Sequence, residues 1–121
     1  MQNSTDALWR KIISELGQGT KEIKTIDSAG RSENGKWFSV RAIDETLYVN
    51  EAKTNKPSST LAMERPISKK EFTDIYPNYS KWRAGTMPRE QAKGNSMNSS
   101  YIFALIHTFD ENYPEDIRFQ H

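Results

Sequence analysis

Lys36 to Ala52 reads Lys-Trp-Phe-Ser-Val-Arg-Ala-Ile-Asp-Glu-Thr-Leu-Tyr-Val-Asn-Glu-Ala, and its alternation decides the fold. A two-residue turn at Asp44-Glu45 sets Ile43 opposite Thr46, which fixes every pair behind it: Ala42 against Leu47, Val40 against Val49. With Phe38 these residues make one apolar face, while Trp37, Arg41 and Tyr48 fall on the other, as in a hairpin packed on one side. Asp-Glu suits a type I′ turn poorly, because both central residues there take positive φ, and this favours a loop longer by a residue or two.

Upstream of the hairpin, Leu8, Trp9, Ile12, Ile13 and Leu16 form one helical stripe, with Ser4, Thr5 or Asp6 as N-cap and Gly17 as a left-handed stop. Lys21 to Ile26 reads as a first strand, and the glycine-containing stretch Asp27 to Gly35 as a loop. Downstream, Lys53 to Ser59 is polar, and Leu61 and Met63 alternate as in a further strand that Arg65-Pro66 should stop. Ser68 and Glu71 have capping-box spacing and open a helix from Lys69 to Tyr76. Pro77 then starts a second short helix through Tyr79, Trp82 and Arg83, closed by Gly85. Pro88 to Lys93 is a helical turn, Asn98 or Ser99 caps a final element from Tyr101 to Phe109, and the tail after Asp110 is irregular. The expected architecture is a single α+β domain over residues 1–121: an N-terminal helix, an antiparallel sheet of three to four strands, and C-terminal helices packed on one face.

Composition narrows the function classes. The 121 residues hold no cysteine, so no disulfide scaffold or thiol nucleophile exists, and 17 Lys+Arg against 16 Asp+Glu leave a net charge of +1. Aromatic residues make up 11% and compensate for a thin aliphatic complement. The longest apolar run, Tyr101 to Ile106, is far below the roughly 20 residues of a membrane span, and Met1 to Ser4 shows no signal-peptide character. The expectation is a cytoplasmic protein with no membrane partner. Because Tyr101 to Ile106 is apolar on every side, something must cover it, either the rest of the fold or a second subunit, so a homo-oligomer is expected as one way to bury it.

Few constellations carry catalytic chemistry. A Ser-His-Asp arrangement would need His107, which sits inside the apolar run, since His121 is terminal. Two histidines without HExxH spacing and no thiolates argue against zinc, and Gly17-Gln18-Gly19 lacks the rest of a dinucleotide fingerprint. We therefore expect no cofactor, no metal site and no catalytic residue. Glu51-Ala52-Lys53 resembles the Glu-x-Lys of the PD-(D/E)xK nucleases, in which sheet carboxylates hold a divalent metal. Its partner would have to be Asp27 or Glu33, neither preceded by proline as the family pattern requires, so a magnesium nuclease is the remote alternative.

Charge is unevenly placed. Residues 65–93 carry seven basic groups against three acidic ones, whereas the tail from Thr108 is acidic. Lys69, Lys70, Lys81, Arg83 and Arg89 are candidate phosphate contacts, with Tyr79 and Trp82 available to stack on bases, which makes a nucleic-acid-binding domain the leading expectation. Pro88 to His107 also has the outline of a degenerate helix-turn-helix, with Ala92, Met97, Ile102 and Leu105 at inner positions and Phe103 facing DNA. The competing expectation is a small ligand or a protein partner on the outer hairpin face, at Trp37, Arg41 and Tyr48.

The residues Phe72, Tyr76, Tyr79, Trp82, Gly85, Pro88-Arg89 and Asn98 to Ile102 resemble a pattern in small bacterial proteins of phages and integron gene cassettes. That resemblance covers about a third of the chain and implies a mobile-element setting, with no activity or site residue attached.

Overall fold

The computed structural model describes residues 4–110, and the expected irregular tail with its acidic groups lies outside them. The elements are α1 (Ser4–Leu16), β1 (Thr20–Lys24), β2 (Trp37–Ile43), β3 (Thr46–Glu51), β4 (Arg65–Ile67), α2 (Lys69–Arg83), α3 (Arg89–Ala92) and α4 (Ser99–Phe109). The protein is α+β, with a four-stranded antiparallel sheet in the order β1-β2-β3-β4.

The hairpin register is the one its alternation demands: Ile43 pairs with Thr46, Ala42 with Leu47 and Val40 with Val49. The turn is not lengthened: Ile43 pairs with Thr46 across two residues, and Asp44 alone takes positive φ, 56°, so the type I′ form with two positive φ values is not the one adopted. Ile23, Phe38, Val40, Leu47, Val49 and Ile67 share one sheet face and join the helices in one core. Against that face α4 brings Tyr101 to within 4.8 Å of Phe38, ring to ring. Trp9 of α1 meets Phe72 of α2 at 5.2 Å, and Trp82 of α2 stacks on Phe103 of α4 at 4.6 Å and 23°. Tyr101 to Ile106 is a helix buried on all sides by these neighbours, so the chain covers its own apolar run. Among the described residues no helix is long and apolar enough to cross a membrane.

Two prolines sit where the sequence signals a stop. Leu61 to Met63 is not a strand; β4 begins at Arg65 and contains Pro66, opposite Tyr48. A proline is tolerated there because β4 is an edge strand, whose outward side makes no ladder hydrogen bonds. Pro77 does not start a new helix but lies inside α2. Phe72, Ile75, Tyr79 and Trp82 form one buried stripe on both sides of it, and burying those four side chains, about 1.5–3 kcal/mol each, outweighs the roughly 3 kcal/mol cost of an internal proline. At the start of α2, Ser68 Oγ accepts from the Glu71 N–H at 3.1 Å. The Glu71 carboxylate does not complete the expected box. It accepts from Ser96 Oγ at 2.6 Å and from Asn98 Nδ2, tying the start of α2 to the start of α4.

Candidate functional site

The sheet face opposite the helices carries Thr20, Glu22, Trp37, Ser39, Arg41, Tyr48 and Asn50, by the alternation that buries the other face. Residues 52–64 wall one side of it, leaving an open cleft of about 1050 Å³. Arg41 lies in this cleft, with Ser39, Asn50, Glu51, Leu61, Met63 and Glu64 among its other lining residues.

Three glutamates hold the wall in place. Glu22 accepts from the backbone N–H groups of Lys53, Thr54 and Asn55 and from Asn55 Nδ2, at 2.7–3.0 Å. These bonds, the Thr54 N–H foremost, pull its carboxyl down to about 2. Glu51 Oε2 accepts from the Leu61 N–H at 3.0 Å. Glu64 Oε2 accepts from Arg41 Nε at 3.0 Å, Arg41 NH2 at 2.8 Å and Asn50 Nδ2 at 2.6 Å, and the Arg41 bond leads in holding this carboxyl below its usual range. The Arg41 guanidinium also lies 5.7 Å from the centre of the Tyr48 ring. Trp37 stands on the same face outside the cleft. Its backbone bonds to Pro57 and Ser59, and Lys24 Nζ lies 6.0 Å from its ring centre. Of the three residues expected on this face, Arg41 is thus in the cleft, Tyr48 supports it from the side, and Trp37 anchors the wall.

The basic segment does not assemble in the same way. Lys69 and Lys81 lie twelve positions apart on α2, about 18 Å at 1.5 Å per residue, so the charges divide between the two helix ends. Lys69 pairs with Asp6, whose carboxyl it lowers, and Lys70 pairs with Asp74 at 2.8 Å, which raises the lysine. Lys81 is exposed. Arg83 donates to Ser28 O at 3.2 Å and to the Tyr79 hydroxyl at 2.9 Å, with His107 Nδ1 3.2 Å away. Arg89 lies over Trp82 and Phe103, 5.5 and 5.4 Å from the ring centres, and donates to Ser99 Oγ and Ser100 Oγ. Burial pushes its guanidinium down. Tyr79 and Trp82 are only 1% and 4% exposed, so neither ring offers a face to a base. The helix-turn-helix outline fails for the same reason: Phe103, its DNA-facing position, is buried in the core.

The nuclease pattern is not assembled either. Glu51 holds Leu61, Asp27 Oδ1 accepts from the N–H groups of Ala29 and Arg31 in its own loop, and Asp44 lies in the turn at the other end of the hairpin. Among the described residues no group of three or more His, Cys, Asp or Glu side chains is placed to hold a metal ion. Glu22 and Glu64, the residues that shape the cleft, are absent from the sequence-derived set. Their partners lie 14 to 33 positions away, and only the hairpin register, carried one strand outward on each side, could have placed them on the face of Arg41.

No family model, curated protein or solved structure matches this chain.

Proposed function

We propose that this protein is a binding domain that receives a polar ligand in the cleft on the helix-free face of its sheet. The observation that carries this reading is the Arg41–Glu64–Asn50 cluster on an open concave surface. Partly exposed ion pairs contribute about 0–1 kcal/mol to stability, so the fold gains little from placing one there. A guanidinium fixed by a carboxylate and an aromatic ring is, in contrast, already ordered for recognition, which lowers the entropic cost of binding. The basic groups of residues 65–93 are divided between the two ends of α2, and Lys69, Lys70, Arg83 and Arg89 are bonded within the protein, which favours this face over nucleic-acid binding through that segment.

The test is a pair of titrations followed by amide resonances. The small-molecule fraction of a cell extract is expected to shift Ser39, Arg41, Asn50 and residues 61–64 in the wild type and to leave Arg41→Ala unmoved. A salt-sensitive response to a DNA duplex centred on Lys81, Arg83 and Arg89, with the cleft silent, would reverse the assignment.

A further inference from the structure

The cleft also indicates what kind of molecule it takes. Building on the reading of this face as the binding site, we propose that its ligand is a neutral, hydroxyl-rich molecule of the saccharide class. The first argument is charge. Glu22, Glu51 and Glu64 line the cleft with Arg41 and Lys53. Glu22 is fully engaged by four N–H donors of the wall, and Glu64 neutralises Arg41. Glu51 and Lys53 are exposed at the rim, where solvent and salt screen them. A phosphate or carboxylate entering beside Arg41 meets Glu64, and an ammonium entering beside Glu64 meets Arg41. The one formal charge left over, that of Glu22, is turned to the four N–H donors of the wall.

The second argument is hydrogen-bond capacity. Arg41 has five N–H donors and uses Nε and one position on NH2 toward Glu64, which leaves three donors that Glu64 does not take. Beside them, among the described residues Glu64 engages only Oε2 and Asn50 only its Nδ2, so acceptor oxygens sit next to spare donors within one network. A hydroxyl both donates and accepts, and vicinal hydroxyls do so at neighbouring positions, which suits that mixture better than a group with one role. The third argument is the wall. Met63 is 75% exposed and lines the cleft with Leu61, offering an apolar strip to the C–H face of a sugar ring. At about 1050 Å³ the open cleft has room for several linked rings. Strand addition at the middle of the floor is closed to a peptide, because β2 and β3 are paired on both sides, which leaves the edge of β1 at the margin of the cleft as the one place for it here.

The experiment titrates isotope-labelled wild-type protein with maltotriose, cellotriose and N,N′,N″-triacetylchitotriose, each to about 10 mM, and separately with the tripeptide Gly-Lys-Gly and with AMP. At least one trisaccharide is expected to shift Ser39, Arg41, Asn50 and residues 61–64 saturably. Arg41→Ala and Asn50→Leu are expected to weaken it about tenfold or more while keeping a dispersed, folded spectrum. Silence from all three trisaccharides overturns the saccharide proposal. Saturable shifts at the same amides with the tripeptide or AMP alone overturn it too, yet keep the cleft as a binding site. Shifts confined to other surfaces overturn both readings.

Discussion

Glu22 Oε1 accepts from both the backbone N–H and the side-chain Nδ2 of Asn55, at 2.9 and 2.8 Å, joining an edge strand to a loop 33 positions later. Glu22 reaches its folded value of about 2 from an ordinary 4.5, so the ionised form is the one the fold prefers. Its contribution is complete above the unfolded value near 4.5 and is lost as pH falls through about 2. Protection of the Lys53, Thr54 and Asn55 amides, taken relative to their intrinsic exchange rates, is therefore expected to fall as pH drops across that window, ahead of the core strands. In Glu22→Gln the same amides should exchange fast already at neutral pH. Equal protection in the two proteins would show that the carboxylate does not hold the wall.

Gly35 has no room for a side chain. A Cβ there would drive into the Thr25 carbonyl oxygen and lie 2.9 Å from its carbon, where Thr25 N–H bonds Lys36 O and Lys36 N–H bonds Thr25 Oγ1. Gly35→Ala is expected to lower stability by about 1–3 kcal/mol in denaturant unfolding. A loss below a few tenths would mean the loop moves aside freely.

Pro77 interrupts the α2 backbone ladder at an exposed position. Pro77→Ala restores a donor to a helix whose buried stripe is untouched, and should raise stability by about 1–3 kcal/mol. An unchanged or lowered midpoint in guanidinium would contradict this.

Arg89 combines two aromatic faces with two serine hydroxyls, and lysine cannot reproduce that planar fork. Arg89→Lys should cost about 1–2 kcal/mol, read from the same denaturant curves. A variant as stable as the wild type would mean that charge alone is what the site requires.

What the sequence reveals and what it hides follow the range of each interaction. The hairpin register follows from alternation within seventeen consecutive residues, and α1 from one stripe, because period and pairing are local properties. Pro66 and Pro77 mislead because a local breaker loses to its setting: an outward-facing edge in β4, a deep apolar stripe in α2. The Glu71 carboxylate leaves its box for Ser96 and Asn98, partners 25 and 27 positions away. In the cleft, Arg41 is legible from its place on the outer hairpin face, whereas Glu22 and Glu64 become visible only once β1 and β4 are docked. Tyr79 and Trp82 show the converse error, since aromatic rings near basic groups read as a binding surface until tertiary packing claims them for the core.

The position of α4 has a consequence for how the protein comes into being on the ribosome. Phe38 and Trp82 are synthesised before Tyr101 and Phe103, the α4 rings that pack on them. A nascent chain that has emerged only as far as Asn98 lacks the helix that packs on both the sheet face and α2, so the core cannot close until α4 has left the exit tunnel. Translation stalled within that interval should yield chains that bind chaperones and precipitate when released.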